Sequence, residues 1–249
     1  MKEKNYKLET KLIRAGLNRT QFNETSEPIF MTSSYVYDSP EQAEARFKGE
    51  DEGFIYSRYG NPTVKLFEDR LAAIEKGEKC FATSTGMAAV FASLMCILEQ
   101  GDKVVASRAL FGSCYQILTK ILPKYGIETI LVSGTNIEEW EEAIDDRTKA
   151  VFFETPSNPT LEIIDISAVC KIAKKHGAKV IIDNVFATPI LQHPLELGVD
   201  IVVYSSTKHI DGQGRALGGA IISDNEYYDK FLKPYMRHTG ASMSPFNAW

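Results

Sequence analysis

Residues 179–184 read Lys179-Val180-Ile181-Ile182-Asp183-Asn184, and residues 201–208 read Ile201-Val202-Val203-Tyr204-Ser205-Ser206-Thr207-Lys208. Each is a short unbroken apolar run, rich in β-branched residues, that stops on a polar cluster. A strand with one face in water alternates apolar and polar positions. An unbroken run is the pattern of a strand buried on both faces, and so of a mainly parallel sheet. The same design recurs at Ala150–Glu154, before Thr155-Pro156-Ser157-Asn158-Pro159, and at Lys79–Thr83, before Ser84-Thr85-Gly86-Met87.

Working outward, helical patterns separate these runs. They cover Thr63–Ile74, Met87 to about Leu98, Cys114–Tyr125, Ile137–Ile144, Ile166–His176 and Glu226–Met236, with further strands at Lys103–Ala106, Ile127–Val132, Val199–Tyr204 and Gly218–Ser223. Strand–helix alternation predicts an open α/β sheet of about seven strands, mainly parallel, with helices on both faces. Residues 1–55 look irregular, with Pro28, Pro40 and many polar residues. They read as an arm lying on the main domain or on a neighbouring subunit, and 56–249 as the domain proper.

The chain has 249 residues, with 28 Lys+Arg against 33 Asp+Glu, a net charge of −5, and 44% hydrophobic residues. An acidic chain without basic runs is a poor partner for nucleic acid or an anionic membrane. No apolar stretch reaches the roughly 18 residues of a membrane span. The N-terminus lacks an apolar signal core, so a cytoplasmic protein is expected. Cys80, Cys96, Cys114 and Cys170 form no CxxC pair and read as reduced small hydrophobes. The four histidines lack ligand spacing, so no metal site is expected.

In open α/β sheets ligands sit beyond the carboxyl ends of the strands. Turn chemistry explains any one of the four polar clusters; four together point to a shared site. Gly86-Met87 at a helix start offers free N–H groups and a positive dipole end to a phosphate, and Ser205 and Thr207 offer hydroxyls. Lys208 follows a buried strand, where an ammonium is expected to be poorly solvated, the setting of a Schiff-base amine. Asp183 ends a neighbouring strand, where its carboxylate can hold a ring nitrogen protonated. Phosphate cradle, Schiff-base lysine and pyridinium acid describe a pyridoxal 5'-phosphate (PLP) site. The nucleotide alternatives fail on spacing. Gly212-Gln213-Gly214-Arg215-Ala216-Leu217 has leucine where a third glycine belongs and precedes a strand, and no GxxxxGK[ST] occurs.

The segments Tyr56-Ser57-Arg58-Tyr59-Gly60-Asn61-Pro62-Thr63, Ser84–Met87, Glu154–Pro159, Asp183-Asn184 and Ser205–Lys208 resemble, in order and over nearly the whole chain, the Cys/Met-metabolism (trans-sulfuration) family of PLP-dependent enzymes. Within it, Lys208–Arg215 and Ser244–Trp249 most resemble the sulfhydrylases of O-succinylhomoserine. The resemblance implies an aspartate-aminotransferase-like fold and a cytoplasmic transferase of methionine biosynthesis. Its reaction would be γ-replacement on O-succinylhomoserine or O-acetylhomoserine by sulfide, giving homocysteine. A cystathionine γ-synthase, a β/γ-lyase or an inactive PLP-binding fragment is the alternative.

By the same resemblance Lys208 carries the cofactor and moves protons, Asp183 pairs the ring nitrogen, and Gly86, Met87, Ser205 and Thr207 bind the phosphate. Asn158 bonds the ring hydroxyl and Phe111 stacks on the ring, where many relatives have tyrosine. Phenylalanine transfers no proton, so acid–base work falls to Lys208 or Tyr56. Tyr56 and Arg58 would reach the phosphate in an adjacent subunit, implying at least a dimer. Two departures stand out. The family continues into a smaller C-terminal domain that supplies an arginine for the substrate carboxylate, so a C-terminally truncated chain is expected. The methionine γ-lyases place a cysteine directly after the glycine of the stacking motif, where this chain has Ser113, with Cys114 one position late.

Overall fold

The computed structural model describes residues 6–249. Seven strands form one sheet: β1 (Lys79–Thr83), β2 (Lys103–Ser107), β3 (Glu128–Val132), β4 (Thr148–Glu154), β5 (Lys179–Asp183), β6 (Ile201–Tyr204) and β7 (Gly219–Ser223). Their order is β1-β7-β6-β5-β4-β2-β3. The pairs β3/β2, β2/β4, β4/β5 and β5/β6 are parallel, and β7 runs antiparallel to both of its neighbours, β6 and β1. Six strands therefore share a direction. They release their carboxyl ends at one edge, where β7 enters.

The apolar runs are buried on both sides, as their composition requires. Along β5, Ile181 joins one core, while Val180 and Ile182 join the other. The first core holds Phe152, Val203 and Ile221 under Ala89, Val90 and Leu94 of α4 (Gly86–Met95). The second holds Phe153, Val202 and Ile222 against α3 (Pro62–Glu75), α6 (Ile137–Ala143) and α7 (Ile166–Lys175). Trp140 is fully buried there, its indole N–H donating to the Gly134 carbonyl at 3.0 Å.

Three expectations need correction. Residues 1–55 are not irregular throughout, since α1 (Leu8–Arg14) and α2 (Pro40–Lys48) form there. For α2 the signals were present: Ser39 caps Gln42, Pro40 sits in the first turn, and Gly49 closes the helix in the left-handed region. Neither helix buries a residue, so no apolar period announced them. The arm lies on α3, with Arg70 donating to the Ala15 carbonyl and pairing with Glu27.

The helices expected over Cys114–Tyr125 and Glu226–Met236 are also interrupted. The first runs as α5 (Gly112–Gln116), a π turn at Ile117–Ile121 and a 3₁₀ turn at Leu122–Tyr125. The second has a π turn at Tyr228–Leu232 between Asn225–Tyr227 and Lys233–Thr239. Each wide turn comes just before a proline, Pro123 or Pro234. A residue without an N–H cannot continue the ladder, and the helix rewinds around it. The third correction, the environment of Lys208, belongs to the site.

Candidate active site

The strand ends open into a cavity of about 670 Å³. Its walls hold Gly86, Met87, Phe111, Asn158, Asp183, Ser205, Thr207 and Lys208, so eight of the ten residues expected at the cofactor meet in one place. Tyr56 and Arg58 are not among them. The Arg58 guanidinium lies 5.5 Å from the Tyr56 ring centre and 4.9 Å from that of Tyr59, and it contacts the Arg237 carbonyl. Within one chain these two residues form a cation–π cluster outside the cavity.

The floor is the N-terminus of α4. Thr85 caps it, its hydroxyl accepting from the Ala88 N–H at 3.1 Å. The N–H groups of Gly86 and Met87, in the first turn, have no partner within the helix. Glycine is required at 86: a Cβ there would lie 2.5 Å from Ser205 Cβ and 2.8 Å from Ser205 Cα. The helix start is thereby seated directly against the Ser205–Lys208 turn. The Thr207 hydroxyl is already engaged, accepting from the Gly218 N–H at 3.0 Å and donating to the Gly218 carbonyl at 3.2 Å. The arriving β7 thus pins this turn.

Asp183 is 9% exposed. Burial pushes its carboxyl up to about 6, against the opposing pull of the Val185 N–H, which donates to Oδ1 at 3.0 Å. No cation contacts it among the described residues. It is a carboxylate with an unmet demand for positive charge, facing a cavity. Lys208 corrects the sequence reading: it is exposed, not poorly solvated. β6 ends at Tyr204, and the turn beyond carries Lys208 out of the core into the open mouth.

Sequence reasoning passed over Glu154, the last residue of β4. It is 3% exposed, lies in register with Asp183 across the β4/β5 pair, and lines the same cavity. Its Oε2 accepts from the Phe111 N–H at 2.9 Å. Burial, and then the Asp183 charge, push Glu154 up to about 7, while the Phe111 and Asn158 N–H groups pull it down. The available signal was position: Glu154 and Asp183 each close the apolar run of one of two adjacent strands. Ser113 and His209 also reach the walls, whereas Cys114 is buried. Cys80, Cys96, Cys114 and Cys170 are all free thiols.

PLP brings a dianionic phosphate, an aldehyde and a basic ring nitrogen, and the cavity answers each. Free N–H groups at the Gly86 cradle suit the phosphate, the Lys208 amine in the cavity wall can reach the aldehyde, and a buried carboxylate lacking a cation suits the protonated nitrogen. The residues present fit the cofactor. Among the described residues no group of three His, Cys, Asp or Glu could hold a metal, and no helix is long and apolar enough to cross a membrane.

Comparison with known proteins agrees. The sequence profile described as Cys/Met metabolism PLP-dependent enzyme matches residues 9–249. An O-succinylhomoserine sulfhydrylase of Mycobacterium tuberculosis is 55% identical over 237 residues, 95% of this chain and 58% of the relative. An L-methionine gamma-lyase of Fusobacterium nucleatum is 40% identical over 251 residues, 100% of this chain and 64% of the relative. The chain thus spans about three-fifths of the length of these curated relatives. A solved Campylobacter jejuni structure, assigned as an O-acetylhomoserine (thiol)-lyase and containing N'-pyridoxyl-lysine-5'-monophosphate, superposes with a TM-score of 0.93. That match has 33% identity and covers 98% of this chain and 69% of the other.

Proposed function

The chain belongs to the family of Cys/Met metabolism PLP-dependent enzymes, and from that premise we propose that its cavity serves γ-replacement on an O-acylated homoserine, with O-succinylhomoserine the first choice. Sulfide would replace the acyloxy group at Cγ, giving homocysteine and succinate. One observation carries the reading: four strand ends converge on a cavity that presents Lys208, Asp183 and the Gly86 cradle together. The 55% identical sulfhydrylase supports the choice of substrate.

PLP, when bound, supplies an electron sink for the carbanion at the amino acid's Cα. Gly86 and Met87 hold its phosphate through their N–H groups, with Ser205 beside them; Thr207 contributes chiefly by fixing the turn through Gly218. Asn158 bonds the ring hydroxyl, Phe111 covers one face, and Asp183 keeps the ring nitrogen protonated. Lys208 Nζ would hold the cofactor covalently and, once the substrate's amino group has displaced it, would be free to take the Cα proton and redeliver it, acid–base work worth about 100- to 10,000-fold. Phe111 has no proton to give. Tyr56, 42% exposed and outside the cavity, would therefore act, with Arg58, on the site of a neighbouring copy in an assembly of at least two chains. In this reading 1–55 is the arm and 56–249 the PLP-binding domain.

A lyase acting on methionine or cystathionine is the second reading, favoured by the 40% identical methionine gamma-lyase. Against it, Ser113 lines the cavity where a γ-lyase would carry cysteine, and Cys114 is 1% exposed and points into the core. The deciding assay supplies O-succinylhomoserine, O-acetylhomoserine, cystathionine and methionine in turn. Homocysteine and succinate formed only with sulfide support γ-replacement. Keto acid and ammonia from methionine or cystathionine would overturn it in favour of the lyase.

A further inference from the structure

Two buried carboxyls stand side by side at the ends of β4 and β5, and only Asp183 has a purpose in the reaction proposed above. Glu154 is less exposed than Asp183 and sits directly beside it. An apolar residue would end β4 at lower cost, because each charge opposes the other and burial opposes both. Such a group is retained for what it holds.

What it holds is the Phe111 backbone. Phe111 precedes α5 as its N-cap residue, yet it has no side-chain oxygen with which to cap the helix. Its ring is 42% exposed. The segment leading to it is tied by Arg108 N–H to the Val132 carbonyl and by Ala109 N–H to Ser107 Oγ. The last tie before the ring is the 2.9 Å bond from the Phe111 N–H to Glu154 Oε2. The Asn158 N–H adds its field to the same carboxylate. Glu154 therefore ties the loop bearing Phe111 to the strand end beside Asp183.

We propose that Glu154 is a positioning residue: through the Phe111 N–H it fixes the Phe111 ring, and with it the cofactor-facing wall, relative to Asp183. The inference rests on the PLP reading of the cavity. A backbone N–H that loses a buried acceptor is costly to leave unpaired, so what matters is an acceptor oxygen at the right place.

The test compares holoenzyme of the wild type with E154Q, E154D and E154L. Measured for each are PLP affinity from the visible band, induced visible circular dichroism per bound cofactor, and amide exchange of the peptide containing Phe111. Glutamine keeps an oxygen at the right distance, whereas aspartate keeps the charge but withdraws it by one methylene. The expected order is E154Q near wild type. E154D and E154L should bind PLP about ten- to a hundred-fold more weakly, with reduced dichroism and faster exchange at Phe111.

If E154D matches the wild type and E154Q is the impaired variant, charge matters rather than position, and the proposal falls. It also falls if E154L lowers only the melting temperature and leaves dichroism and exchange unchanged. Should E154L not fold, the E154Q and E154D pair still decides. A wild-type protein that shows no visible band with PLP overturns the reading of the site itself, and with it the purpose given to Glu154. That result appears in the wild type, not as a difference between variants.

Discussion

Gly86 approaches Ser205 so closely that no side chain fits between them: a Cβ on Gly86 would lie 2.5 Å from Ser205 Cβ. Two segments more than a hundred residues apart in sequence thereby form a single cradle. Gly86→Ala is expected to push the start of α4 away from the Ser205–Lys208 turn, at a cost to folding of about 1–3 kcal/mol. Cofactor affinity should fall at least about tenfold, because aligned N–H groups lose their direction with a small shift. Titration with PLP, followed by visible absorbance, checks this. An alanine variant with wild-type affinity would show that the cradle is not where the phosphate sits.

Lys208→Ala is expected to abolish turnover while leaving weak, reversible cofactor uptake. Borohydride should fix cofactor to the wild type on the peptide containing Lys208 and should fix none to the variant. Peptide mapping by mass spectrometry gives the answer directly, and label on another lysine would refute the assignment.

Tyr204 lies on the other side of the sheet from the cavity. Its hydroxyl donates to Glu75 Oε2 and accepts from Asn184 Nδ2, each at 2.5 Å. Asn184 in turn bonds the Thr188 and Gln192 carbonyls. Tyr204→Phe strips both partners of a bond they cannot replace with water. The expected loss is about 1–3 kcal/mol in denaturant unfolding, with the Lys208 and Asp183 side of the sheet unaffected. Cofactor affinity should therefore change much less than stability.

Glu75 is fully buried, and burial pushes it up to about 7, with the Glu196 charge adding to the rise and the Tyr204 hydroxyl and Lys76 opposing it. The folded protein thus holds this proton more tightly than the unfolded chain, whose glutamate releases it near 4.3. The sign follows: the contribution favours folding in acid and is lost as pH rises through the folded value. Glu75→Gln removes the titration. Relative to wild type, its stability should improve by up to about 1.4 kcal/mol per pH unit between about pH 5 and about pH 7, then level off. Urea unfolding across that range measures the difference; a flat difference would place the proton elsewhere.

The sheet was legible because its strands are unbroken apolar runs. β1 and β5 match their sequence limits, and the remaining strands differ at their ends by a residue or two. Convergence of the strand-end clusters was legible for the same reason, since a parallel sheet sends its carboxyl ends to one edge. Lys208 was misread because distance along the chain from a buried strand does not measure solvation: three turn residues suffice to lead an ammonium out of a core. Glu154 was missed because its place at the end of a strand, the same as that of Asp183, was given no role of its own. Two-residue alternation places it with Asp183, on the α4 side, and Tyr204 and Asn184 on the opposite side. The π turns had a local cause, Pro123 and Pro234, that marks a helix break without specifying its form.

The reversed strand β7 fills the gap between β1 and β6 and delivers Gly218 to Thr207. A ribosome completes β1 some 140 residues before its neighbour emerges. Until then β1 and β6 carry open edges that invite wrong pairings, and the turn bearing Lys208 lacks its anchor. One strand thus does two jobs: a change that loosens β7 would bare the edges of β1 and β6 and, in the same stroke, free the Ser205–Lys208 turn.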